Sequence, residues 1–150
     1  MTTKKQKRCP ECGIGKIVPS KGPGRFARYK TMHKLEIPDD LLIPTCDNCG
    51  AEWIDEKTAG DLDKALDQAY RAELRSRAVE AIQEITKHVS QRKLESVLGL
   101  SQGYLSKLRS GDRDPSAELV SQLALISRDP KKRINELVMY WEENHSTGVG

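Results

Sequence analysis

Ser90-Gln91-Arg92-Lys93-Leu94-Glu95-Ser96-Val97-Leu98-Gly99-Leu100-Ser101-Gln102-Gly103-Tyr104-Leu105-Ser106-Lys107-Leu108-Arg109-Ser110-Gly111 reads as two short helices hinged at a glycine. Ser90 can cap a first helix that buries Leu94, Val97 and Leu98, and Gly99 stands where the turn needs a positive φ. Leu100 is expected to plug the crease, and Ser101 to cap a second helix with Leu105 and Leu108 toward the core. A helix, a glycine-containing turn and a second helix with a polar outer face make a helix-turn-helix, whose second helix enters the DNA major groove. The outward residues are then Gln102, Gly103, Ser106, Lys107 and Arg109, with Tyr104 partly so and Ser101 at the helix start. Gln102 has the amide that suits adenine N6 and N7, whereas Gln91, Lys107, Arg109 and Arg113 suit phosphates. The competing reading is an αα-hairpin with a solvated outer face. The leucine spacing, the turn glycine and two serine caps agree on DNA binding.

Downstream, Asp114-Pro115-Ser116 opens another helix, with Leu119, Val120, Leu123, Leu125 and Ile126 as its apolar members. Asp129 caps a last helix with Pro130 at its first position. Ile134, Leu137, Val138 and Trp141 exceed what a five-helix core consumes, which leaves core packing and a dimer contact both open. Asn144 to Gly150 is expected to be a disordered tail.

Upstream, residues 56–90 lack proline, and their apolar positions follow helical periodicity. Leu62, Leu66, Tyr70, Leu74, Ala78 and Ile82 advance by four, so on one straight helix the stripe would rotate by about 200°. Two helices, 58–73 and 77–89, joined near Arg75-Ser76-Arg77, are therefore expected. A continuous solvated helix bridging two domains is the alternative.

All four cysteines lie in the first third, as Cys9-Pro10-Glu11-Cys12-Gly13 and Cys46-Asp47-Asn48-Cys49-Gly50. Each C-x2-C-G turn aims two thiolates to one side, and two such knuckles make the closed tetrahedral shell of a structural zinc. Cys9, Cys12, Cys46 and Cys49 are the expected ligands of one Zn2+ per chain. Disulfides suit secreted chains and a redox pair suits a lone C-x-x-C in a βαβ unit, and neither context is present. With the shell complete, no water would be activated on the metal, and His33 reads as a surface imidazole. The site is structural, and the chain is not expected to be an enzyme.

Between the knuckles, Lys16–Val18, Arg25–Lys30 and Lys34–Ile37 have strand character, with Lys21-Gly22-Pro23-Gly24 a turn between the first two. A small antiparallel sheet around the metal, its minor core completed by Trp53 and Ile54, is expected. So few apolar side chains make its folding dependent on zinc. The fold class is thus α+β: a zinc-ribbon-like domain with a trailing helix over 1–75, an all-α helix-turn-helix domain over 76–143, and the tail over 144–150.

The composition agrees, being 37% hydrophobic and 31% charged with aromatics thinly spread, which disfavours one large core. No apolar run approaches the roughly 20 residues that span a bilayer, and the basic start runs into Cys9 without an apolar stretch, so a cytoplasmic protein is expected. The net charge of +3 hides an uneven distribution. Residues 1–50 hold ten Lys/Arg against five Asp/Glu, residues 51–75 hold four against seven, and residues 76–115 hold seven against five. Two basic regions flank an acidic one.

The last module resembles the Cro/CI-type (XRE-like) helix-turn-helix domains, with Gln91, Gly99, Leu100, Ser101, Gln102, Ser106, Gly111 and Pro115 on that family's motif positions. Glu95 stands where the family has a small residue, which bears on the helix crossing, and Arg109 where an acidic one is common, which adds a phosphate contact. The order of a two-knuckle zinc domain and that module, from Cys9 through Leu125, is similar to the MqsA (YgiT-type) antitoxins. The resemblance implies a zinc-stabilised domain that binds and neutralises a cognate toxin, often an mRNA interferase, and a homodimeric C-terminal domain that represses its own operon by binding double-stranded operator DNA. The tail beyond Asp129 has no match there. The alternative function is a transcription regulator without a toxin, its zinc module touching nucleic acid through Lys21, Arg25, Arg28 and Lys30.

Overall fold

The structure, a computed structural model, describes residues 7–143, so the tail expected to be disordered lies outside the described residues. The chain divides into two compact units, one running to Tyr70 and one from Arg71 onward. The architecture is α+β, with short antiparallel strands around four cysteines followed by helices.

In the first unit, β1 (Ile17–Ser20) pairs antiparallel with β4 (Ile43–Cys46), and β2 (Phe26–Tyr29) with β3 (Met32–Glu36). There is therefore no single sheet of three strands, and Lys21–Gly24 joins strands of different sheets. Arg25 explains the difference. Its guanidinium donates to the carbonyls of Pro38 (2.8 Å), Gly22 (3.1 Å) and Ser20 (3.3 Å), and Gly22 N–H donates to Asp39 O at 2.8 Å. These bonds tie the β1–β2 connection to the Pro38-Asp39 turn. Strand β4 adds to the three expected strands; its Pro44 faces Pro19, so the proline falls where neither residue has an N–H to contribute.

Leu35 and Ile37 are buried on either side of the exposed Glu36, as side chains two apart on a strand share a face, and Met32 and Ile43 join them. Trp53 and Ile54 do not complete this core: they are 39% and 49% exposed. Trp53 N–H donates to Pro44 O at 2.8 Å, which holds the backbone along β4 and leaves the side chain outside.

Helix α1 is one helix, Glu56–Thr86, and not two. Asp55 caps it, its carboxylate accepting from Thr58 N–H at 2.7 Å, and that bond holds the Asp55 carboxyl below its ordinary pKa. No Gly or Pro stands near Arg75-Ser76-Arg77 to break it. The rotating stripe does not forbid one helix because its parts serve different cores. Leu66 and Tyr70 are buried in the first unit, and Leu74, Ala78, Ile82 and Ile85 in the second.

The β2–β3 hairpin turns at Lys30-Thr31 and meets the first part of α1 there. Tyr29 Oη donates to Asp67 at 3.1 Å, Thr31 Oγ1 and Tyr70 Oη are 2.9 Å apart, and the two tyrosine rings meet edge to face at 5.6 Å. Lys30 Nζ pairs with Asp67 at 3.4 Å and lies 5.2 and 5.3 Å from the two ring centroids.

In the second unit, α2 (Gln91–Val97), α3 (Tyr104–Ser110), α4 (Ala117–Arg128) and α5 (Pro130–Glu142) surround Leu94, Leu105, Leu108, Leu123 and Ile134, with Ile82 and Ile85 of α1. Ser90, Ser116 and Asp129 cap α2, α4 and α5 by accepting from Lys93, Leu119 and Lys132 N–H, and Pro130 sits at the first position of α5. Leu98, expected to be buried, is half-buried, and Leu125 is 58% exposed. Of the surplus residues of α5, Ile134 enters the core whereas Trp141 is 67% exposed, its Nε1–H donating to Val97 O at 3.0 Å.

Candidate metal centre and nucleic-acid interface

The two knuckles converge. Gly13 and Gly50 take positive φ (66° and 76°), and their N–H groups close the turns onto Cys9 O and Cys46 O at 2.9 and 3.1 Å. Sulfurs at the corners of a zinc tetrahedron with Zn–S of about 2.3 Å stand roughly 3.8 Å apart. Cys9 and Cys49 Sγ are 3.7 Å apart, as are Cys12 and Cys46 Sγ, and the four ligand atoms lie within 4.8 Å of one another. The residues fit a metal, and the all-sulfur tetrahedral set is consistent with structural zinc.

Backbone N–H groups surround the sulfurs. Gly15 donates to Cys12 Sγ, and Asn48 and Cys49 donate to Cys46 Sγ, each at 3.4 Å, while the Asn48 amide reaches Cys12 Sγ at 3.6 Å. The Gly15 N–H is the leading reason the Cys12 thiol falls to about 6, and the Cys49 N–H lowers Cys46. At Cys49 a backbone contact with Ala51 pulls down, yet burial and the three neighbouring sulfurs carry the thiol up to about 12. Four thiolates this close need a cation to coexist. Gly15 is buried against them: a Cβ there would collide with Cys46 Sγ and lie 2.8 Å from Asn48 Cβ and Asp47 Oδ1.

In the second unit the α2–α3 turn has the expected form. Gly99 takes φ 68°, its N–H donates to Ser96 O, and Leu100 N–H donates to Glu95 O at 2.9 Å, which is a Schellman closure of α2. Leu94, Val97, Leu105 and Leu108 are buried, and Leu100 is half-buried. Ser101, Gln102, Ser106, Lys107, Arg109 and Arg113 are exposed, and Gln91, Gly103 and Tyr104 half-buried. Among the described residues no ion pair engages Lys107, Arg109 or Arg113.

The structure brings three of these residues together. Gln91, at the start of α2, donates to Ser106 Oγ at 2.8 Å and accepts from the Arg109 guanidinium at 3.4 Å. Ser101, Gln102 and Gly103 lie in the turn before α3, and Arg113 in the loop after it.

The start of α3 departs from the sequence reading, because Ser101 does not cap it. Gly103, at φ 84°, occupies the cap position with no side-chain bond, and Tyr104 N–H donates to the backbone oxygen of Ser101. The side-chain cap comes from α2. Glu95, only 4% exposed, accepts from Leu105 N–H at 3.0 Å through Oε2. Its sequence signal was a charged residue at a position buried by helical phase.

A second missed feature is Asp114, before α4, which Arg75 of α1 clamps and Arg71 approaches at 3.8 Å. Only the four-apart spacing of the two arginines hinted at it.

Among the basic residues of the first unit, Arg25 is spent on backbone carbonyls and Lys30 on Asp67, while Lys34 sits 4.4 Å over the Phe26 ring. Lys21 and Arg28 are exposed.

A family model for helix-turn-helix domains matches residues 84–126, which spans the end of α1, all of α2 and α3, and most of α4. No curated protein matches the chain. None of the described helices is long and apolar enough to cross a membrane.

Proposed function

From the premise that residues 84–126 form the helix-turn-helix of a DNA-binding transcriptional regulator, we propose that the chain is an antitoxin that represses its own operon. The observation that carries the DNA half is the outer face of α3. Gln91, Ser106 and Arg109 are pre-ordered there by hydrogen bonds, and Gln102 and Lys107 flank them unencumbered by acidic partners. Gln102 reads a base edge; Lys107, Arg109, Arg113 and Gln91 hold phosphates, with Ser101, Gly103, Tyr104 and Ser106 completing the contact surface.

Two copies bind a palindrome, one α3 in each of two successive major grooves. The dimer contact is the apolar face of α4 and α5, where Leu125, Met139, Tyr140 and Trp141 are exposed beside a groove of about 450 Å³ between Val97, Leu98, Ile126 and Leu137. Leu125→Glu converts the dimer to monomers in sedimentation. A Leu125→Glu chain that sediments as the wild type places the contact elsewhere.

The first unit holds one structural zinc through Cys9, Cys12, Cys46 and Cys49 and binds the toxin. Its role is not catalytic, since four sulfurs fill the metal's coordination sphere. A protein partner is favoured over nucleic acid there because Arg25 and Lys30, two of the four cations a nucleic-acid contact would use, are committed within the unit. The test is co-expression with the product of the adjacent small open reading frame. A complex and restored growth support the antitoxin reading; neither complex nor rescue leaves a regulator without a toxin.

A further inference from the structure

We propose that Glu95 is a positioning residue that sets the sequence preference of α3 without touching DNA, an inference that rests on the DNA-reading role given above to this helix. The chain carries two rival caps for α3. Ser101 has the side chain and the spacing to start the helix at Gln102, yet in the structure the helix starts at Tyr104.

Two features hold the later start. Gly103 adopts φ 84°, a conformation that other residues rarely take, and Glu95 reaches across from α2 to accept from Leu105 N–H at 3.0 Å. Leu105 is fully buried, so no water can serve that N–H, and a carboxylate is a strong acceptor for it. Glu95 is the one charged residue buried among the described residues, and its own backbone oxygen is tied up by Leu100 N–H at 2.9 Å. Backbone and side chain of the same residue thus fix both ends of the α2–α3 turn.

The consequence is a choice of helix start. With Glu95 in place, Gln102 stands in the turn; without it, Ser101 takes over the cap and Gln102 becomes the first helical residue. Each residue moved into a helix turns by about 100° around its axis, so the groups offered to base edges change while the hydrophobic core need not.

The experiment compares full-length wild type with Glu95→Ala, Glu95→Gln and Gly103→Ala. Duplexes are selected from a random-sequence pool, and Leu105 and residue 103 backbone signals are followed by NMR. Glu95→Gln keeps an acceptor oxygen and keeps the wild-type preference. Glu95→Ala and Gly103→Ala converge on one altered selected sequence, lower the preference for the wild-type duplex about tenfold, and move residue 103 to helical chemical shifts. For Glu95→Ala, random-duplex affinity stays within about twofold, which a merely destabilised domain would not give.

Unchanged selection by Glu95→Ala, or an unchanged Leu105 amide, overturns the proposal. If Glu95→Ala fails to fold, Gly103→Ala with wild-type selection does the same. A wild-type chain that enriches no sequence removes the DNA-reading premise and the specificity role with it, whereas the Leu105 amide in Glu95→Ala still decides whether the carboxylate places the helix.

Discussion

The Gln91 side-chain amide donates to Ser106 Oγ at 2.8 Å, joining the first residue of α2 to the middle of α3 across the turn. The oxygen of that amide accepts from Arg109, so one side chain orders two neighbours that face outward. Gln91→Ala frees both. Because the bonds are solvent-exposed, the melting free energy should fall by no more than about 1 kcal/mol, while DNA affinity drops several-fold through the lost ordering. Thermal denaturation and fluorescence anisotropy on the same preparation separate the two effects.

Gly15→Ala should abolish metal binding. The new Cβ collides with Cys46 Sγ and presses on Asn48 and Asp47, groups fixed by the ligand turn itself. Gly60→Ala is the control: Gly60 lies within α1 with open space around it, and alanine there should stabilise by up to about 1 kcal/mol. Metal content per chain, measured on both purified variants, checks the contrast.

Chelation should dismantle the first unit and spare the second. Met32, Leu35, Ile37 and Ile43 are few and leave the cysteine knuckles dependent on a bound metal, whereas Leu94, Leu105, Leu108 and Leu123 make a core of their own. After removal of metal, amide signals of residues 9–54 should collapse toward unfolded positions while those of 91–128 keep theirs.

Alkaline pH should loosen the hairpin from α1. The bond to Asp67 raises the Lys30 pKa, and burial, then Asp67, raises that of Tyr29. Both folded values lie above their unfolded ones. Their stabilisation is therefore complete below the unfolded values and is lost as pH rises above about 10 through the folded ones. Melting curves of wild type should fall over that range, and those of Asp67→Asn should fall less.

Much of this was legible in the residues, for reasons that can be named. The knuckles, Gly99, the caps Ser90 and Asp129, and the α2–α3 leucines each depend on contacts within a few positions, so spacing reports them. Strand β4 and the split of the sheet were not legible, because Arg25 closes them from a distance and Pro44 disguises the strand. The continuous α1 was not legible because its rotating stripe serves two cores in turn. Ser101 and Glu95 show the limit most sharply: the local cap was visible, and a carboxylate ten residues before Leu105 overrides it.

On the reading proposed above, α3 and the turn that leads into it read DNA sequence through their outer face. Selection from a random duplex pool, followed by affinities on the enriched and on random duplexes, tests it directly. Wild type should enrich a pseudo-palindrome. Gln102→Ala should lose about 1–3 kcal/mol of preference with unchanged random-duplex affinity, and Lys107→Ala should weaken every duplex alike while lowering the salt slope by about one. Enrichment of no sequence, or equal loss on both duplexes for Gln102→Ala, would contradict the claim.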